Sequence, residues 1–181
     1  MPYIPRLNGD STYRNPYYTT KNPFYNAGYP MPNCTAYAWG RFWENADING
    51  DFSNRPLLST GNADSWFNHS DPYARGTTPA LGAIACYSGG DFSGEGHVCV
   101  LERDNGDGTW LVSESGWNAW YFRASHSIQA NGNYGYGGYH FQGFIYNPGA
   151  GSSGMPTNKV SDFVSTAKSH VSDGVSFTSS T

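Results

Sequence analysis

Pro32-Asn33-Cys34-Thr35-Ala36-Tyr37-Ala38-Trp39-Gly40-Arg41-Phe42-Trp43-Glu44 is the stretch on which the fold turns. Its spacing predicts a helix over 33–44. Ala36, Trp39, Gly40 and Trp43 form one apolar face, and Tyr37, Ala38 and Phe42 extend it. A helix that is apolar nearly all round is a buried one. Asn33 suits the N-cap, because its side-chain oxygen can accept from the free N–H groups of the first turn. Cys34 then takes the first helical position. The positive end of the helix dipole and the unpaired donors there stabilise a thiolate. A thiolate is a strong nucleophile and a thiol is not, so the position points to covalent chemistry.

Before this helix, residues 1–32 are polar and rich in Pro, Asn and Tyr. They read as an irregular lead that wraps the core, with room for a short helix. After it, residues 45–61 form an Asn/Asp/Gly-rich loop, and Asp64–Asn68, around Trp66, reads as a short helix. The pattern changes at Pro79. Leu81–Tyr87, His97–Arg103, Thr109–Ser115, Ala119–Ser125 and Phe141–Tyr146 read as strands separated by Gly, Asn and Asp turns. Asn131–Tyr139 is a Gly/Tyr-rich loop. The expectation is one domain over 1–147, with its core at about 20–147, then a linker over 148–158. In 159–181, Val160, Phe163, Val164, Ala167 and Val171 fall at helical spacing. That amphipathic helix is read as the opening of a truncated following domain, or as a tail that docks back.

Composition narrows the class. The chain has 181 residues, with 10 Phe, 6 Trp and 14 Tyr, and only 13% are charged. The aromatics alone can build a core, which argues against disorder. A formal charge of -4 with scattered basic residues argues against nucleic acid as a partner. Three cysteines, an odd number, do not make a disulfide framework. No stretch is long and apolar enough to insert in a membrane. Met1-Pro2-Tyr3-Ile4-Pro5-Arg6 shows no secretory signal.

The hairpin between residues 97 and 115 allows a register argument. Asn105-Gly106 is a favoured two-residue type I′ turn. It pairs Asp104 with Asp107 and, counted down both strands, His97 with Glu114. A four-residue loop over Asp104–Asp107 leaves the same pairing, whereas a three-residue loop shifts it by one and breaks it. Residues directly opposite share a face with Cβ atoms about 4.5–5.5 Å apart. His97 and Glu114 are thus expected to be hydrogen-bonded neighbours. A histidine held by a carboxylate is half of a nucleophilic site, and the buried helix could bring Cys34 to its free nitrogen.

Other residues read differently. Cys86 and Cys99 lie in strand contexts and are expected as core thiols. Cys99 shares the face of His97 and is the rival nucleophile, without a helix end to activate it. Asp47-Ile48-Asn49-Gly50-Asp51 begins like a calcium loop, but Phe52 and Leu58 stand where that loop needs Gly and Glu. It is read as a turn. The remaining histidines lack metal-ligand spacing, so no metal and no cofactor are assigned. Trp117, Trp120, Tyr134 and Tyr136 lie in loops near Glu114 and could line a sugar- or peptide-binding groove.

At these residues the chain resembles the CHAP family, the cysteine- and histidine-dependent amidohydrolases/peptidases of phage lysins and bacterial cell-wall enzymes. Asn33-Cys34-Thr35-Ala36-Tyr37-Ala38 is similar to its nucleophile motif, and Gly96-His97-Val98-Cys99-Val100 to its Gly-His-Val motif. Pro79–Ala85 resembles its Pro-x-x-Gly-Asp-Ile-Ala strand, with Ala83 in place of Asp. Val112-Ser113-Glu114 is similar to the strand of the third catalytic residue, and Gly143-Phe144-Ile145-Tyr146 to the last strand of several phage lysins.

The resemblance implies a papain-like α+β fold, with the nucleophile helix packed on an antiparallel sheet of about five strands. It implies Cys34 as nucleophile, His97 as base and acid, and Glu114 as the orienting residue. Many relatives carry an Asn two positions after that Glu. Here Gly116 stands there, and Asn118 is the possible auxiliary group. The Asp-rich calcium loop of some relatives has no counterpart in Asn22–Asn33.

The expected function is hydrolysis of a peptidoglycan amide, either at the muramoyl-L-alanine bond or within the peptide. The expected setting is a monomeric phage endolysin module, made in the host cytoplasm and released through a holin-type pore. The rivals are a cysteine peptidase or transglutaminase-like acyltransferase on protein, and a non-catalytic wall-binding module.

Overall fold

The computed structural model describes residues 3–9, 15–47, 49–117 and 121–150. Asn118, Trp120, the expected linker beyond Ala150 and the amphipathic helix of 159–181 lie outside the described residues.

Two α-helices precede the sheet, α1 (Pro23–Asn26) and α2 (Cys34–Ala46). The expected cap is in place: Asn33 Oδ1 accepts from the Thr35 N–H at 3.0 Å and from the Thr35 hydroxyl at 2.8 Å. The helix runs two residues past the expected end. Its bearing on the core is as read, with Ala36, Tyr37, Ala38, Trp39, Phe42 and Trp43 all buried. Full burial of each large apolar side chain contributes about 1.5–3 kcal/mol.

Six strands follow: β1 (Arg75–Gly76), β2 (Ile84–Gly89), β3 (His97–Asp104), β4 (Thr109–Glu114), β5 (Arg123–Gln129) and β6 (Tyr139–Ile145). They form one sheet in the order β1-β6-β2-β3-β4-β5, with every pairing antiparallel. Ile84, Cys86, Val98, Val100 and Ile145 share a core with the α2 aromatics. A second core of Ala85, Tyr87, Cys99, Leu101, Val112, Ile128, Tyr134 and Phe144 includes the alternate positions of β2 and β3. This is the α+β arrangement expected of a papain-like fold.

Two strand expectations need correction. The fourth strand is Arg123–Gln129 rather than Ala119–Ser125. Phe122, which looked like its centre, stacks on Tyr37 of α2 at 5.1 Å. The true strand lies at the sheet edge and is only partly buried, so it lacks an apolar run to announce it. The short β1, paired with β6, carries no readable signal at two residues.

The β3–β4 register also departs from the expectation. Asn105 donates its N–H to the Thr109 carbonyl at 3.0 Å, so the turn is Gly106-Asp107-Gly108, with both glycines at positive φ (78° and 86°). Asp107 closes this longer turn by accepting from the Thr109 N–H at 3.0 Å and its hydroxyl at 2.6 Å. From the tip, Asp104 faces Trp110 and Arg103 faces Leu111. The register then shifts at Glu102, so that Leu101 faces Val112 and Val100 faces Ser113. One more step sets Glu114 against Cys99. His97 and Glu114 are therefore diagonal neighbours on one face, not direct partners. The three-residue turn alone would place them on opposite faces, and the bulge at Glu102 reverses that.

Candidate active site

Cys34, His97 and Glu114 come together. Cys34 begins α2 and is the one partly exposed cysteine among the described residues, whereas Cys86 and Cys99 are fully buried. Burial pushes both buried thiols up, so they stay protonated and inert.

The Cys34 side chain stands close enough to the His97 imidazole to raise its pKa. His97 Nε2 lies 2.6 Å from Glu114 Oε2, which leaves Nδ1 as the nitrogen for the sulfur. The imidazole stacks on Tyr139 (5.3 Å, 30°) and meets Tyr134 edge-on (5.3 Å, 75°). Burial favours the neutral ring, but the adjacent Cys34 and the hydrogen-bonded Glu114 carboxylate outweigh it, and the imidazolium is held up to about 10.

Glu114 is fully buried and fully engaged. Its Oε2 also accepts from the Tyr134 hydroxyl at 2.7 Å. Its Oε1 accepts from Arg123 Nε at 2.9 Å and pairs with Arg123 Nη2 at 2.8 Å. Burial opposes the carboxylate, but His97, Tyr134 and Arg123 together hold its pKa down to about 2. Arg123 stands directly across the β4–β5 ladder from Glu114, and its guanidinium also bonds the Tyr136 hydroxyl.

The positioning of His97 depends on Gly96, at φ +82°. A Cβ there would lie 2.2 Å from the Tyr87 carbonyl oxygen and 2.7 Å from the Asp64 nitrogen. Only glycine lets the loop before β3 pass this close to β2.

The expected groove residues divide. Trp117 and Tyr136 are exposed, and Trp117 lies 6.3 Å from the exposed Tyr29 ring. Tyr134 is not a groove residue. It is buried, with His126 at 4.5 Å and Tyr139 at 5.0 Å, because its hydroxyl is drawn inward to Glu114. The sequence reading missed Arg123, Tyr139 and the inward role of Tyr134. Placing β5 four residues later would have set Arg123 opposite Glu114 and exposed the ion pair.

Among the described residues, no group of three His, Cys, Asp or Glu side chains could hold a metal ion. No described helix is long and apolar enough to cross a membrane. Chemically, the cluster offers a sulfur at a helix N-terminus, an imidazole able to exchange its proton, and an anchored carboxylate behind it. That is the equipment for nucleophilic attack on an acyl carbon.

The helix packed against an antiparallel sheet is a papain-like α+β arrangement. The CHAP domain family model matches residues 24–116, and the chain belongs to that family. Among curated proteins, N-acetylmuramoyl-L-alanine amidase sle1 from two strains of Staphylococcus epidermidis is 35% identical over 86 residues, which is 46% of this chain and 26% of the relative. Among solved structures, an N-acetylmuramoyl-L-alanine amidase from Staphylococcus aureus is 25% identical with a TM-score of 0.45, covering 65% of this chain and 31% of that one. The chain thus spans about a quarter of the length of the curated relatives it matches.

Proposed function

We propose that this chain hydrolyses an amide bond of bacterial peptidoglycan through Cys34, His97 and Glu114. The observation that carries the reading is the convergence of Cys34, at the start of its helix, on His97, whose Nε2 lies 2.6 Å from the buried Glu114. Membership of the CHAP family supports the chemistry. The name of the staphylococcal relatives makes the N-acetylmuramoyl-L-alanine bond the first candidate, ahead of a peptide bond in the stem or cross-bridge.

The steps follow from the geometry. Cys34 and His97 share one proton, which rests on the imidazolium as the sulfur attacks the amide carbonyl. The tetrahedral oxyanion meets the Cys34 backbone N–H, one of the first-turn donors without an intrahelical partner. The imidazolium then gives its proton to the leaving amine as the C–N bond breaks. Water, deprotonated by His97, hydrolyses the thioester and releases the thiol. Glu114 holds the ring and favours its charged form. The exposed Trp117 and Tyr136 offer flat surfaces for the glycan or peptide on either side of the scissile bond.

The biological setting we propose is a monomeric catalytic module of a phage endolysin, made in the host cytoplasm and admitted to the wall by a holin-type pore. The likeness of Gly143–Tyr146 to the last strand of phage lysins supports it.

The test is digestion of purified cell walls followed by mass spectrometry. Muramic acid ends free of peptide are expected, and Cys34→Ala is expected to abolish their release while the protein stays folded. New peptide amines in their place would reassign the bond. Full activity in Cys34→Ala would overturn the reading.

A further inference from the structure

We propose that the buried Arg41–Glu102 ion pair is a positioning device: it locks the β3 bulge that keeps His97 and Glu114 on one face, and ties that register to the helix bearing Cys34. The proposal rests on the reading of these three residues as the reacting group.

Glu102 is the bulge residue, and it is fully buried with both carboxylate oxygens satisfied. Oε1 accepts from Arg41 Nε at 2.9 Å and from the Ser113 hydroxyl at 2.6 Å. Oε2 accepts from Arg41 Nη2 at 2.9 Å, the Tyr3 hydroxyl at 2.5 Å and the Arg6 N–H at 2.8 Å. Arg41 is itself buried, and its remaining donors reach Glu44 at 2.9 Å and the Ile4 carbonyl at 2.7 Å.

Each partner of Glu102 is placed to bear on the site. Arg41 follows Cys34 by about two helical turns and so lies on the same stripe of α2. Ser113 is the neighbour of Glu114 in β4. Helix and strand are thus joined by Arg41 with Glu102, two turns along α2 from the end where Cys34 stands beside His97.

The competing register shows what the pair selects against. If β3 lost its bulge, Glu102 would pair with Val112, and Glu114 with Val100. The carboxylate would then share a face with Val112, whose core neighbours include Ile128 and Phe144, and Arg41 would lose its main acceptor. His97, inverted together with Glu102, would turn to the opposite face from Glu114. A one-residue slip inverts every side chain in this way. Buried ion pairs are often no more stabilising than apolar replacements, and specifying register is their best-attested use.

The experiment compares the double variant Arg41→Met/Glu102→Leu with the single variant Arg41→Lys. Lysine keeps the charge but cannot bridge both oxygens. Three readouts are taken on the full chain: thermal midpoint, the rate of Cys34 alkylation by iodoacetamide near pH 6, and the NMR resonances of the His97 ring. The double variant leaves the Tyr3 and Ser113 hydroxyls without their acceptor and is expected to melt below wild type while still folding, to lose about tenfold in Cys34 alkylation and to show a displaced or split His97 signal. Arg41→Lys is expected to fold and to show the same change in smaller measure. Alkylation within about twofold of wild type and an unmoved His97 signal, in whichever of the two variants folds, would overturn the proposal and leave the pair a purely stabilising role. None of these readouts needs wall hydrolysis. A wild-type chain that cuts no peptidoglycan would refute the hydrolase reading while leaving the register result intact.

Discussion

Glu114 Oε2 binds His97 Nε2 at 2.6 Å from a diagonal position across the ladder, while Oε1 of the same carboxylate is held by Arg123. The carboxylate is therefore oriented from both ends before any substrate arrives. It balances one cation on each side, the imidazolium and the guanidinium.

Replacing Glu114 with Gln keeps the shape and removes the charge that both cations need. His97 would fall back toward neutrality, and Arg123 would keep a partly buried charge without its counter-ion. We expect hydrolysis to drop about 100-fold, in the range for losing proton-transfer assistance. Stability should fall by about 2 kcal/mol. Steady-state assays on purified walls and urea denaturation check the two effects separately. Activity within a few-fold of wild type would show that His97 needs no carboxylate.

The same contacts make stability depend on pH in a definite window. His97 is raised from 6.5 to about 10 on folding, so its contribution is complete below 6.5 and is lost as pH rises through about 10. Glu114 is lowered from 4.5 to about 2, so its contribution is complete above 4.5 and is lost as pH falls through about 2. The pair is thus fully stabilising between pH 4.5 and 6.5. Thermal midpoints of wild type minus His97→Gln, measured across pH, should show a plateau there and a decline on both sides. A difference that grows from pH 7 to 10 would contradict the direction of the His97 shift.

Much of this site can be read from residue order because its parts carry strong local signals. Asn33 before an all-round apolar run predicts a capped, buried helix, and the structure places Cys34 at its first position. The hairpin is harder. Asn105-Gly106 is a good two-residue turn, and nothing local shows that Gly108 will close a longer one. Nor does Glu102 look like a bulge, since what holds it there is Arg41, sixty-one positions away. His97 and Glu114 nevertheless share the expected face, because the true register differs from the expected one by an even step. Arg123 and Tyr134 were hidden for a related reason. Their roles are set by tertiary contact with Glu114, on an edge strand and a loop without periodicity.

Gly96 carries a prediction with an internal control. Gly96→Ala adds a Cβ that would sit 2.2 Å from the Tyr87 carbonyl oxygen, at φ +82°. Backbone strain alone is worth about 1–3 kcal/mol, and the clash adds to it. Gly94 has a similar φ of +73° but open space around its Cβ position. Gly94→Ala should therefore show only the strain of a left-handed alanine, about 1–2 kcal/mol. Gly96→Ala should be less stable and should lose hydrolysis, because β3 begins at the next residue. Equal melting temperatures for the two variants would mean that the approach to β2 relaxes without effort.

The three cysteines should be separable by alkylation alone. Cys34 is partly exposed at a helix start beside an imidazole, whereas Cys86 and Cys99 are fully buried with their thiols pushed up. Brief treatment of the folded protein with iodoacetamide should modify Cys34 and neither of the others, with loss of hydrolysis in proportion. Denatured protein should take label at every cysteine. Peptide mapping of the native reaction decides the matter. Label on Cys99, two residues from His97 on the same strand face, would transfer the nucleophile to the strand and remove the helix N-terminus from the mechanism.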